Sequence, residues 1–125
     1  MTKAILSLAI MLLWSNSINA SSCEDGATNM AEVRACLVEQ SEASVKSAYS
    51  ALLAKVKAKA PGAAPALEAS QRSWVLFAEH SCDFYSEFNA ATSAKDDSQV
   101  NCWIDFSQAR IKVLDSWESQ LDKRR

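Results

Sequence analysis

Apolar positions recur along the chain at steps of three and four residues, the period of a helix that buries one side. Met30, Val33 and Leu37, followed by Val45, Tyr49, Leu52 and Val56, mark a first long helix from Asn29 to Lys59. Asn29 is placed to cap it, with Glu32 three residues on as the acidic half of a capping box. Gln40 to Ser44 is thin in apolar residues, which marks a place for a bend. Pro61-Gly62 stops this helix, and Pro65 suits the first turn of the next. In that second helix Leu67, Gln71, Trp74, Ala78, Ser81, Tyr85 and Phe88 fall on one stripe, with Val75 and Cys82 beside it. Asn89 to Asp97 is a turn region, and Asp97 or Ser98 can cap a third helix. There Val100, Trp103, Ser107, Arg110, Leu114, Trp117 and Leu121 share a face. No alternation of apolar and polar residues is long enough for a strand. The expected fold is therefore all-α, a three-helix antiparallel bundle running up, down and up.

The N-terminus departs from this pattern. A short positive start, Met1-Thr2-Lys3, precedes an apolar run from Ala4 to Trp14 and a small, polar segment ending at Ala20. This is the layout of a secretory signal peptide cleaved after Ala20, and the run is short of the roughly 20 residues that span a bilayer. The domain division expected is residues 1–20 as signal peptide and 21–125 as one helical domain, with no stable membrane span after the leader is removed. A lipoprotein acylated at Cys23 is the weaker alternative, because Ala20-Ser21-Ser22-Cys23 lacks the large aliphatic residue such sites carry. The expected location is periplasmic or secreted.

Export changes the meaning of the cysteines. Cys23, Cys36, Cys82 and Cys102 are even in number, and in an oxidising compartment they read as two disulfides. A hairpin of the second and third helices turning near Ala91 to Lys95 brings Cys82 and Cys102 level, given the 1.5 Å rise per helical residue. Cys82–Cys102 with Cys23–Cys36 is the first choice, while the other two pairings stay within reach because all four thiols lie at one end of the bundle. A metal site is disfavoured by the absence of any CxxC pair and by a single histidine, His80, two residues from Cys82 on a diverging side.

The mature chain carries 12 basic and 15 acidic residues, a net charge of −3 with His80 neutral. This balance argues against nucleic acid and permits a basic protein partner. Gln71 and Arg110 interrupt otherwise apolar stripes on helices that the Cys82–Cys102 bridge would join. A buried guanidinium requires acceptors, so Arg110 is expected to reach Glu79, Gln71 or a backbone carbonyl as a clamp between helices. Trp74, Trp103 and Trp117 follow core spacing and read as packing. With no glycine-rich phosphate loop, no carboxylate set at metal spacing and oxidised thiols, no catalytic residue and no cofactor is assigned, and an enzyme is not expected.

The spacing Gln71, Trp74, Phe77, Glu79, Cys82, followed by Cys102, Arg110 and Leu114, resembles the lysozyme inhibitor LprI-like family of small exported bacterial proteins. Cys36 and the segment Tyr49-Ser50-Ala51-Leu52-Leu53 resemble that family's N-terminal part, so the resemblance spans nearly the whole mature chain. Two positions depart: Ala78-Glu79 keeps an acid but lacks the arginine that usually precedes it, and Val45-Lys46 replaces a leucine-asparagine pair. The resemblance implies an all-helical periplasmic or secreted binding protein whose partner is lysozyme or another cell-wall hydrolase. The alternative is a periplasmic interaction, immunity or envelope-stress protein with a different partner.

Overall fold

In a computed structural model of the chain, residues 21–92 and 94–124 are described. The proposed leader 1–20, Ser93 in the second turn and Arg125 at the end lie outside them. The described residues form helices α1 (Ser21–Gly26), α2 (Met30–Lys59), α3 (Ala64–Phe88) and α4 (Lys95–Lys123), with a 3-10 turn at Pro61–Ala63. The three long helices are the three that the periodicity predicts, and the short α1 is additional, formed within the polar lead-in. None of the helices among the described residues is long and apolar enough to cross a membrane.

Local chemistry accounts for most boundaries. Asn29 caps α2, its Oδ1 accepting from the Glu32 backbone N–H at 3.0 Å, while the Glu32 carboxylate accepts from the Thr28 N–H at 2.7 Å. These bonds hold the Glu32 carboxyl below its usual range. Through the thin stretch, Ser41 and Ser44 return their hydroxyl protons to the carbonyls of Leu37 and Gln40, and the helix continues. Pro61 opens the 3-10 turn and Pro65 sits in the first turn of α3. The start of α4 differs from expectation: it begins at Lys95 after Ala94, without a side-chain cap, and Asp96 and Asp97 lie inside its first turn. There they meet the positive end of the helix dipole, which stabilises the terminus without a capping bond.

Helix α4 packs against both α2 and α3, whereas α2 and α3 touch each other only weakly. The core gathers Val45, Leu52 and Val56 of α2, Ala64 and Leu67 of α3, and Leu114 and Leu121 of α4, with Leu114 fully inaccessible. Ion pairs tie α2 to α4 at both ends. Arg34 holds Asp97 at 2.7 Å near the start, and Lys55 holds Glu118 at 2.6 Å and Asp122 at 2.8 Å near the finish. Lys59 joins Asp122 at 3.1 Å, so two lysines near the end of α2 are interhelical partners. Since starts pair with starts and ends with ends, α2 and α4 run parallel and α3 runs against them.

Both disulfides form in the first-choice pairing, Cys23–Cys36 with Cα atoms 5.7 Å apart and Cys82–Cys102 at 5.5 Å. The second bridge also sets the rotation of α3. It turns Cys82 toward α4, so the buried line runs through Leu67, Ala78, Cys82 and Ser86. Tyr85 and Phe88, which the heptad stripe places inward, are consequently 47% and 74% exposed.

Candidate functional site

Beneath the surface between α3 and α4 lies a ladder of aromatic rings and one cation. Trp103 and Trp74 stand 5.9 Å apart between centroids, tilted by 42°. The Arg110 guanidinium follows, 5.8 Å from the Trp74 ring and 5.4 Å from that of Trp117. Arg110 is only 7% exposed; its Nε donates to Gln71 Oε1 and its Nη2 to Ser70 Oγ, both at 3.1 Å. Burial pulls its pKa below the usual arginine value, yet a guanidinium stays charged at any ordinary pH. The ring faces and the two neutral acceptors stabilise the cation where water is excluded.

Of the expected clamp, Arg110 and Gln71 meet and Glu79 does not. Glu79 lies eight residues beyond Gln71, about 12 Å along the helix and turned off the α4 side. Its exposed carboxylate keeps its hydration, and Ser70 supplies the second acceptor instead. Trp117 is corrected as well. At 39% exposure it edges the bundle and shields one side of Arg110, while Trp74 and Trp103 are half-buried.

Because α2 and α3 diverge, an open groove runs between them over the first half of α4. It comprises three adjoining hollows of about 340, 490 and 500 Å³ that share Glu42. Val38, Val100 and Trp103 line its floor. Carboxylates line its rim: Glu39 and Glu42 from α2, Glu79 and Asp83 from α3, and Asp96 from the first turn of α4. Lys46 and Arg34 also border it, and Arg34 is engaged by Asp97 at 2.7 Å. Asp83 accepts from Gln99 Nε2 at 3.0 Å, which fixes one rim carboxylate in place. An apolar floor with an acidic rim suits a protein surface carrying lysine or arginine around an apolar contact.

Apart from Glu79, these rim residues escape a reading of the sequence, because a carboxylate on a helix reads as a solvated face. The available signal was spacing: Glu39 and Glu42 are three apart and Glu79 and Asp83 four apart, so each pair shares one face of its helix. Only the divergence of α2 from α3 turns the two faces toward a common opening.

A family model described as lysozyme inhibitor LprI matches residues 21–114. No curated protein and no solved structure shows significant similarity to the chain.

Proposed function

The chain belongs to the lysozyme inhibitor LprI family, and from that premise we propose that it is an exported binding protein that blocks a lysozyme-type cell-wall hydrolase by occupying it. Residues 1–20 serve as the signal peptide, and residues 21–125 act in the periplasm or outside the cell. Two features support export: the charged, apolar and small-residue order of the leader, and a pair of disulfides of the kind that persist in oxidising compartments.

The observation that carries the binding reading is the acidic rim around an apolar-floored groove, on a chain whose acidic residues outnumber its basic ones. A basic hydrolase would be steered to it by long-range attraction and held by contact with the floor. The disulfides and the Arg110 ladder contribute rigidity, so little conformational freedom is lost on docking.

The test is a turbidity assay of bacterial cell-wall lysis with purified mature protein, run over a range of ionic strength. Slowed lysis at micromolar inhibitor, weakening as salt rises, is the expected result. Replacing the rim acids together, Glu42→Gln with Glu79→Gln, should weaken inhibition by about 3- to 10-fold at low salt with the fold intact. Unchanged lysis at micromolar protein would remove the inhibitor reading for that enzyme. Full inhibition by the double variant would remove the groove as the contact surface.

A further inference from the structure

The side of α3 turned away from the acidic groove carries a second pattern, distinct from the packed line. Ser73, Phe77, Ser81, Phe84 and Phe88 follow one another at steps of four, four, three and four residues, the spacing of a helical seam without a charge in it. Phe77, Phe84 and Phe88 are 61%, 69% and 74% exposed. Phe84 and Phe88 rest ring to ring at 6.2 Å, and Phe77 meets Phe106 of α4 edge-on at 5.5 Å, so the rings are held in an ordered row.

We propose that this seam is a self-association surface, on which α3 of a second copy packs antiparallel. Three observations select a second copy. The first is size: at roughly 200 Å² of surface per phenylalanine, the three rings expose about 400 Å² on each chain, within the range of patches that mark interaction sites. Two such faces bring about 800 Å² together, the scale of a weak, transient interface. The second is self-complementarity, which a two-fold dimer requires. An antiparallel pairing centred between His80 and Ser81 sets Phe77 level with Phe84 of the second copy, and the small Ser73 level with the large Phe88, so rings meet rings or fill gaps. The third is charge: with no ionised residue in the seam, approach of an identical face meets no repulsion there.

This inference goes beyond the inhibitor reading and does not rest on it. Glu79 and Asp83 point to the opposite side of α3, so pairing through the seam leaves both acidic grooves open. One dimer would then present two binding surfaces to a cell wall carrying many enzyme molecules, a gain in avidity without any new contact.

Sedimentation equilibrium of the exported, disulfide-intact protein from about 1 to 100 μM tests it, a range that brackets the affinity of a small interface. The expected result is a monomer–dimer equilibrium with twice the chain mass at the upper end. Phe84→Asp should weaken association by at least about 30-fold, since it places two carboxylates in the seam, while its monomer keeps the helical circular dichroism of the parent. Met30→Asp, which replaces an exposed apolar residue on α2, outside the seam, should leave the equilibrium unchanged. A monomer throughout the range, a dimer indifferent to Phe84→Asp, or one equally disrupted by Met30→Asp would each overturn the proposal. A monomer whose inhibition of lysozyme is lost in Phe84→Asp would reassign the seam to the enzyme.

Discussion

The interior of this bundle rests on a cation that has no carboxylate partner among the described residues, and its energetics can be isolated with two substitutions. Gln71→Leu keeps the side-chain volume but removes the acceptor of the 3.1 Å bond from Arg110 Nε, in a site where the arginine is only 7% exposed. A buried donor attached to a charged group is then unsatisfied, a loss of about 2–3 kcal/mol. Arg110→Met keeps much of the apolar stem and abolishes the charge. It forfeits both hydrogen bonds and the contacts with Trp74 and Trp117, each worth about 0.5–1 kcal/mol, but it also relieves the cost of holding an ion away from water. Its net effect should be about 1 kcal/mol. In the double variant a methionine faces a leucine with no unpaired group between them, so the cost should again be about 1 kcal/mol, well below the two single costs combined. A coupling of about 2 kcal/mol follows, and Gln71→Leu alone should lower Tm by about 8–12 °C. Urea and thermal unfolding followed by circular dichroism and tryptophan fluorescence would measure each corner of the cycle. Additivity within about 0.5 kcal/mol, or a Gln71→Leu variant as stable as the parent, would refute the view that the clamp works by satisfying a buried cation.

The two disulfides should separate in their consequences. Each closes a short loop, of sequence separation 13 and 20, and loop entropy alone assigns about 3 kcal/mol to either. Replacing Cys82 and Cys102 by alanine should lower global stability by that order, whereas the pair Cys23 and Cys36 ties down α1, which among the described residues packs on α2 alone. Its removal should release hydrogen-exchange protection in residues 21–26 with a smaller change in Tm. Hydrogen bonds from Lys55 and Lys59 hold the Asp122 carboxyl below its ordinary range, so its stabilisation is present above the usual aspartate pKa and fades as pH falls through the lowered value. Asp122→Asn should therefore melt below the parent at neutral pH and alongside it by about pH 2; a gap unchanged by acid would contradict the assignment.

The candidate surfaces were less legible than the helices that carry them, and Glu79 shows why. As a residue near Gln71 in sequence it looked like an acceptor for Arg110, but translation and rotation along α3 carry it onto the groove instead. Phe88 makes the complementary point. Its place on an apolar heptad stripe predicts burial, yet only the rotation of α3 decides which of two overlapping stripes faces inward.

Periodicity by itself determined three long helices, because steps of three and four residues leave a helix as the one conformation that buries all the apolar side chains together. Proline, asparagine and glutamate at the ends marked the first turn and the start of α2, since those effects act within a few residues. The count of cysteines and the level of Cys82 against Cys102 anticipated the covalent links. Tertiary structure decided what depends on relative orientation. The bridge to Cys102 fixed the rotation of α3, and the weak contact of α2 with α3 opened the groove. The parallel run of α2 and α4 gave Lys55 and Lys59 their acidic partners. Those outcomes turn on angles between rigid rods, which nearest-neighbour chemistry along a chain does not specify.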